Sequence, residues 1–585
     1  MVYPTNLNVA ILILVKYNAQ ELKMKQKKSR QERCRILLDQ ALKFAMNHTD
    51  QLGRMTVEGE IDCKDSGWLV LGGVIRVLLY GNKLNSSDLT GYCRKWTLAS
   101  IRVDDTRSAW TTFALLLAMD FSGGLQGFFH DSFSASEKQE LRKFFLQLDM
   151  NELLAASRNY RIAAAVIDVL RCRFGYLESP CSDPDANIQY LLDGYLGEGF
   201  FNDDDGRGSR EDRRIDAYSG EIIGLLLNYD GIYSDGSPFQ EKIHSIIKEF
   251  CAANIYLIDQ QGEFGKWGRS LRGEAEIKKV FLWEYAETRN LTADPGDGFA
   301  AADRMISFFE GNGISPEGRI YRDKAGDRGI WDEYTTIVQA QGYGIYGLAM
   351  ACFYAADGET EKKLPSEVDS YVRYLSGPGI ICANEVHSGV HYILPAANRM
   401  TKNMFFWHNR LTGECNVEVD VSAKFQSLPY FGKQIPAPYS APELPLLPML
   451  ENSSGELLVP RGLQPDAWSV TPGNDQVEFR RLFHYCPVAA YAPAVEVTAE
   501  ITLCCQPGKI GISAVFNDSS PAEFHPVIFV FEPSDDTLEC RISIPDASCI
   551  KCTCPPSIYG NSTRAKKIIA ENFDPIQYNV EYVKR

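Results

Sequence analysis

Residues 213–227, RRIDAYSGEIIGLLL, and residues 329–350, GIWDEYTTIVQAQGYGIYGLAM, carry one short pattern twice. Each has Asp-x-Tyr followed by a hydroxyl residue: Asp216, Tyr218 and Ser219 in the first, Asp332, Tyr334 and Thr335 in the second. Each stands where a polar, glycine-rich stretch gives way to an apolar, almost uncharged run. A helix of that kind must be buried on most sides, and its small residues let neighbours approach closely. Ser219 and Thr335 are expected as N-caps, and the acids before them suit the positive end of the helix dipole. Two buried helices entered by the same triplet point to a fold of repeated helical hairpins.

Working outward, apolar residues recur at three-to-four spacing from about Gln31 to Ala356. Some of these runs are amphipathic, such as EAEIKKVFLWEYAE at 274–287; others are nearly uncharged, such as TTIVQAQGYGIYGLAM at 335–350. A toroid of hairpins needs both kinds, with uncharged helices lining the centre and charged ones facing water. After about Gly377 the pattern changes to period two, as in VEVTAEITLCC at 495–505 and GKIGISAVF at 508–516. The expected fold is therefore α+β and multidomain. It comprises a poorly structured segment over residues 1–30, a helical toroid over 31–376, and an antiparallel β-sheet or sandwich domain over 377–585.

The 585 residues exceed what one core organises. A formal net charge of -16 argues against nucleic acid as a partner. No apolar stretch reaches the roughly 18 residues of a membrane span, so no membrane partner is expected. NVAILILV at 8–15 lacks a basic lead and a cleavage site, which leaves secretion unsupported and slightly favours the cytoplasm. The sixteen cysteines read chiefly as reduced core thiols, with disulfides as the alternative. CIKCTC at 549–554 has no second cysteine pair or paired histidines after it, so no metal is expected. With no P-loop, dinucleotide fingerprint or nucleophile elbow, no cofactor is expected either.

Inner-helix N-termini meeting at one mouth would bring two carboxylates and two phenols into one acid–base site. GEFGKWGRSL at 262–271 adds Trp267 and Arg269, a pairing that suits a sugar ring stacked on indole and a carboxylate held by guanidinium. Asn159 and Arg161 stand at another inner-helix start, as do Asp104, Asp105 and Arg107. His387 and His391, four apart in EVHSGVHYIL, are expected on one side of a strand. Each of these also has a purely structural reading, as a cap, an ion pair or a satisfied polar residue.

Taken in order, GEGFFNDDDG (197–206), RRIDAYSG (213–220), GEFGKWGRSL (262–271), the run from Gly318 to Ala349, and EVHSGVHYIL (385–394) resemble the domain-of-unknown-function family 2264. Part of that family is classed as glycoside hydrolase family 154. The resemblance implies an (α/α)6 toroid with a C-terminal β-domain and an enzyme acting on an acidic sugar.

The leading expectation is a glycosidase that removes a terminal uronide from a small-molecule or oligosaccharide substrate. Such cleavage needs one carboxylic acid and one carboxylate, here Asp216 and Asp332, with Glu333 as substitute for the second. Tyr218 and Tyr334 would orient them, Arg269 and Arg161 would hold the uronate, and Trp267 would stack on the ring. Asn159, His387 and His391 are further substrate contacts. The alternatives are β-elimination from a uronate, a non-sugar cyclase, isomerase or dehydratase on the same toroid, and a non-catalytic binding protein. No oligomeric state is read from the sequence.

Overall fold

The computed structural model describes residues 28–61, 66–102, 109–154, 158–202, 216–264, 273–321, 337–356, 362–395, 406–407, 447–454, 457–461, 468–487, 497–517, 524–531, 538–543, 547–553, 564–570 and 576–584. It is a mixed helix-and-sheet protein, with the helices first and the larger antiparallel sheets after them. Among the described residues, twelve helices have nine or more residues. They are α1 (Arg30–Asn47), α2 (Ser66–Tyr80), α3 (Leu89–Arg102), α4 (Ala109–Phe121), α5 (Ala135–Leu146) and α6 (Asn159–Arg173). The remainder are α7 (Pro184–Leu192), α8 (Asp216–Gly231), α9 (Gln240–Asn254), α10 (Gly273–Thr288), α11 (Asp297–Asn312) and α12 (Ile337–Tyr354).

The even-numbered helices form a closed ring. Helix α2 packs on α4, α4 on α6, α6 on α8, α8 on α10, α10 on α12, and α12 returns to α2. Odd-numbered helices lie outside, with α1 against α12, α3 against α2, α7 against α6 and α11 against α10. The inner helices run in one direction. Trp68, Trp110 and Tyr160, near the starts of α2, α4 and α6, stand in a row with ring centroids 6.2 and 5.0 Å apart. At the opposite end, Phe121 of α4 meets Phe353 of α12 at 5.3 Å. Small residues allow the close approach: a Cβ on Gly72 would stand 2.5 Å from Ile345 Cγ2, so α2 and α12 meet there almost backbone to side chain.

The outer layer is held by a repeated hairpin. Outer helices α1, α7, α9 and α11 are followed by TDQLGRM (49–55), YLGEGFF (195–201), IDQQGEF (258–264) and ISPEGRI (314–320). In each the first and last residues pair across the turn. The fifth is a glycine at positive φ: Gly53 at 84°, Gly199 at 85°, Gly262 at 87° and Gly318 at 97°. Each glycine presses on the next outer helix. A Cβ would come 2.4 Å from Lys95 O of α3, 2.6 Å from Phe250 Cβ of α9, 2.1 Å from Arg304 O of α11 and 2.1 Å from Gln40 O of α1. The last of these joins the end of the ring to its beginning. Side chains at the second position steady three of the turns: Asp50 accepts from Arg54 N, Asp259 from Glu263 N and Ser315 from Arg319 N.

Helix α10 departs from the sequence reading. Its charges mark EAEIKKVFLWEYAE as an outer, water-facing helix, yet it is an inner one, packed on α8 and α12. Lys278, Lys279 and Glu284 are all buried. Partners compensate for the lost hydration. Glu284 takes Arg30 Nε at 2.6 Å, Lys279 Nζ sits 3.6 Å over the Phe264 ring, and Lys278 faces Glu221.

Beyond the ring, strands β1 (Tyr371–Leu375), β2 (Ile380–Glu385), β3 (Val390–Pro395) and β4 (Phe406–Trp407) make a four-stranded antiparallel sheet. Both faces of β2 and β3 are buried, and β1 is partly so, with Val372 and Leu375 buried and Arg373 exposed. Leu375, Ile380, Cys382 and Ile393 join the core of the ring, while Val372, Ile381, Ala383, Tyr392 and Leu394 join the core of the second sheet. That second sheet has eleven strands among the described residues, from Met449–Asn452 to Ile576–Lys584. Sheet and ring meet at Glu198, a non-glycine residue at φ 56° whose carboxylate accepts Gly377 N–H at 2.7 Å. Burial and the nearby charge of Glu249 push the Glu198 carboxyl up, against the lowering effect of the Gly377 bond.

Two predictions follow from this joinery. Gly318→Ala adds both left-handed strain and overlap with Gln40 O, and costs about 2–5 kcal/mol in denaturant unfolding. Gly81→Ala, also at positive φ but with open space around it, costs only the strain, about 1–2 kcal/mol. For Glu198, a raised folded value means stability that is complete below the ordinary 4.5 and is lost as pH rises through the folded value. Glu198→Gln should lack that loss, so its melting temperature should match the parent near pH 4 and exceed it at pH 8.

Candidate functional site

A cavity opens at the centre of the ring between α2, α8, α10 and α12, one to two turns below the N-terminal ends of the inner helices. Trp68, Glu221, Lys278, Phe281, Tyr343 and Tyr346 contribute to its walls. It has room for about one water molecule. Lys278 Nζ lies 3.7 Å from Glu221 Oε2 and 3.7 Å from the centre of the Tyr343 ring. Both charged side chains are nearly buried, at 6% and 12% exposure. The site is therefore an ion pair with a ring face as its third partner, in surroundings that strengthen such contacts.

The aromatic wall is continuous. Trp68 lies 5.5 Å from Tyr343 and 4.8 Å from Tyr346, centroid to centroid. Asn228 Nδ2 donates to the Tyr346 hydroxyl at 2.7 Å, and burial pushes that hydroxyl's pKa up. Two buried polar atoms here have no partner among the described residues: Trp68 Nε1 and Asn228 Oδ1.

The register of α8 links this cavity to the opening triplet. Gly220, Glu221 and Gly224 line the cavity. One turn toward the mouth, helical spacing puts position 217 in line with them, with Asp216 and Tyr218 on either side. The helix begins at Asp216, so Ser219 lies inside the first turn and is not the expected N-cap. Glu221, two residues after the triplet, reaches the cavity.

The inner helices begin at Ser66, Ala109, Asn159, Asp216, Gly273 and Ile337. The segments entering them, 62–65, 103–108, 155–157, 203–215, 265–272 and 322–336, lie outside the described residues. With them lie Asp104, Asp105, Arg107, Trp267, Arg269, Asp332, Glu333, Tyr334 and Thr335. Asn159 is the buried first residue of α6. Arg161 turns to the outer layer: it donates to Asn187 Oδ1 at 3.1 Å and lies 4.5 Å over the Tyr190 ring of α7.

The histidines are not a strand pair. His391 is on β3, buried, with Nε2 2.9 Å from Tyr256 O. His387 is exposed in the turn between β2 and β3, where Glu385 accepts its N–H at 3.1 Å. The i, i+4 rule fails because the strand starts only at Val390, beyond Gly389 at φ 68°. Among the described residues no group of His, Cys, Asp and Glu is placed to hold a metal ion.

Lys278, Glu221 and Trp68 were not singled out by the sequence reading. A signal existed for one of them: lysine in an otherwise apolar run between two tightly packed helices is either at the surface or in a site. The amphipathic pattern favoured the surface.

No family model matches the chain, and no curated protein matches it. Solved structures resemble it in outline. The chondroitin AC lyase of Streptomyces coelicolor A3, determined with chondroitin sulphate, is 10% identical, with 94% of this chain and 79% of that chain covered and a TM-score of 0.46. The GH76A alpha-1,6-mannanase of Salegentibacter sp. HEL1_6 is 10% identical over 55% of this chain and 99% of that one, with a TM-score of 0.38. The heparan sulfate lyase HepC of Pedobacter heparinus is 9% identical over 96% and 84%, with a TM-score of 0.28. At these values the likeness is one of general shape.

Proposed function

We propose that this chain is a carbohydrate-cleaving enzyme on an (α/α)6 toroid, and that it removes a terminal acidic sugar. The observation that carries the reading is the Lys278–Glu221 pair, set in an aromatic cavity beneath the mouth where the inner helices begin. Each helix N-terminus carries about half a positive charge. Six of them around one axis favour an anion in a protein whose net charge is -16, while Glu221 balances the Lys278 ammonium below them. Trp110 and Tyr160, half-buried with ring centroids 5.0 Å apart, offer ring faces on which a pyranose can stack.

In this reading Asp216 and Asp332, with Glu333 as substitute, supply the carboxyl groups that glycoside cleavage requires. Tyr218 and Tyr334 orient them, and Arg269 and Trp267 grip the uronate. Asp332 lies five residues before Ile337 in the chain, and Asp216 opens α8. A second reading takes support from the cavity lining, which is mostly apolar and contains no arginine among the described residues. That composition suits an apolar small molecule undergoing isomerisation, cyclisation or dehydration.

The test is a product-resolved screen of the full chain and Asp332→Asn on aryl glucuronides, glucuronate-capped oligosaccharides and allylic terpene alcohols. Release of a saturated uronic acid, with kcat reduced about 10²–10⁴-fold in the variant, is the expected result. An ultraviolet-absorbing unsaturated uronate means elimination instead. Turnover of an alcohol with silence on every sugar moves the function to the second reading.

A further inference from the structure

We infer that Glu221 is the base that activates the attacking water, and that the ring-centre cavity is where this water sits. The inference rests on the hydrolytic reading above, but moves the role of base from the Asp-x-Tyr carboxylates to Glu221 and leaves Asp216 or Asp332 that of acid.

Three observations meet at this point. The cavity accommodates about one water molecule. A buried water needs two to four polar partners, and the lining residues include Glu221, Lys278 and Trp68. Trp68 is only 2% exposed, and its Nε1 has no partner among the described residues. A buried N–H left unsatisfied costs about 1–3 kcal/mol, which a water at that position removes. Phe281 and Leu225, also in the wall, offer a water no hydrogen bond.

The pairing also fits a base better than an acid. An ammonium 3.7 Å away attracts a carboxylate and is nearly indifferent to a carboxylic acid. In the hydrolytic reading the sugar enters from the mouth above Glu221. The water oxygen attacks the anomeric carbon as Glu221 takes one of its protons. The bond from that carbon to the leaving oxygen breaks, and the leaving oxygen takes a proton from Asp216 or Asp332. One water is consumed, both carboxyl groups return to their starting state through solvent, and the product has inverted configuration.

The experiment uses the full-length protein with 4-nitrophenyl glucuronide as the probe. Glu221→Gln should lower kcat about 10³-fold with little change in KM. In Glu221→Ala, azide should restore turnover and give a glycosyl azide of inverted configuration, because azide needs no base; a purely structural glutamate would give no such product. Trp68→Phe, which keeps a stacking ring but removes the N–H, should lower kcat several-fold. Should Glu221→Gln strand Lys278 and fail to fold, the Glu221→Gln/Lys278→Met double variant removes both charges together. That variant should fold and remain inactive. Wild-type hydrolysis with Glu221→Gln, or the folded double variant, within three-fold of wild type overturns the assignment and leaves the hydrolase reading intact. A wild type that hydrolyses no uronide overturns the hydrolase reading itself.

Discussion

The ring depends on one kind of contact, a glycine backbone at positive φ pressed against the carbonyl or Cβ of the next outer helix. No other residue type fits there, because the left-handed conformation and the missing side chain are needed together. The contact recurs at Gly53, Gly199, Gly262 and Gly318, and each time it joins an outer helix to its successor. At Gly318 the successor is the first helix among the described residues, so a contact spanning almost the whole ring closes it. Closure fixes the spacing of the outer layer, which in turn sets how tightly the inner helices meet at Gly72 and around the cavity.

That tight centre explains the state of the charged residues. A ring of six close-packed helices leaves little room for water, so a charge on an inner helix must find its partner within the protein. Helix α10 solves this three ways: a bidentate pairing of Glu284 with Arg30, an ammonium over Phe264, and an ammonium shared between Glu221 and Tyr343. The first two lie away from the cavity and act in packing. The third borders open space, which separates a site from a structural ion pair.

The sequence revealed the order of helices before strands, because a period of three to four changes to a period of two near Gly377. It also revealed the start of a buried helix at Asp216. The inner position of α10 was hidden, since two lysines and several glutamates produce the same pattern whether they face water or buried partners. The hairpin repeat was hidden too. Its signature is one glycine and two apolar residues in seven, and only the structure shows that the four copies occupy equivalent places. His387 and His391 were misread for a different reason: equal spacing along a chain becomes equal direction only within a single strand.

The four-stranded sheet has a consequence for how the molecule behaves as a whole. Alternate residues of β1 to β3 belong to two different cores. The sheet is thus a shared wall, and neither neighbour has a finished surface without it. The change in sequence texture near Gly377 marks a border in composition, whereas cooperative unfolding should cross that border. A protease or a truncation that removed the strands would leave the ring with an uncovered oily face, and the chain should melt as one body.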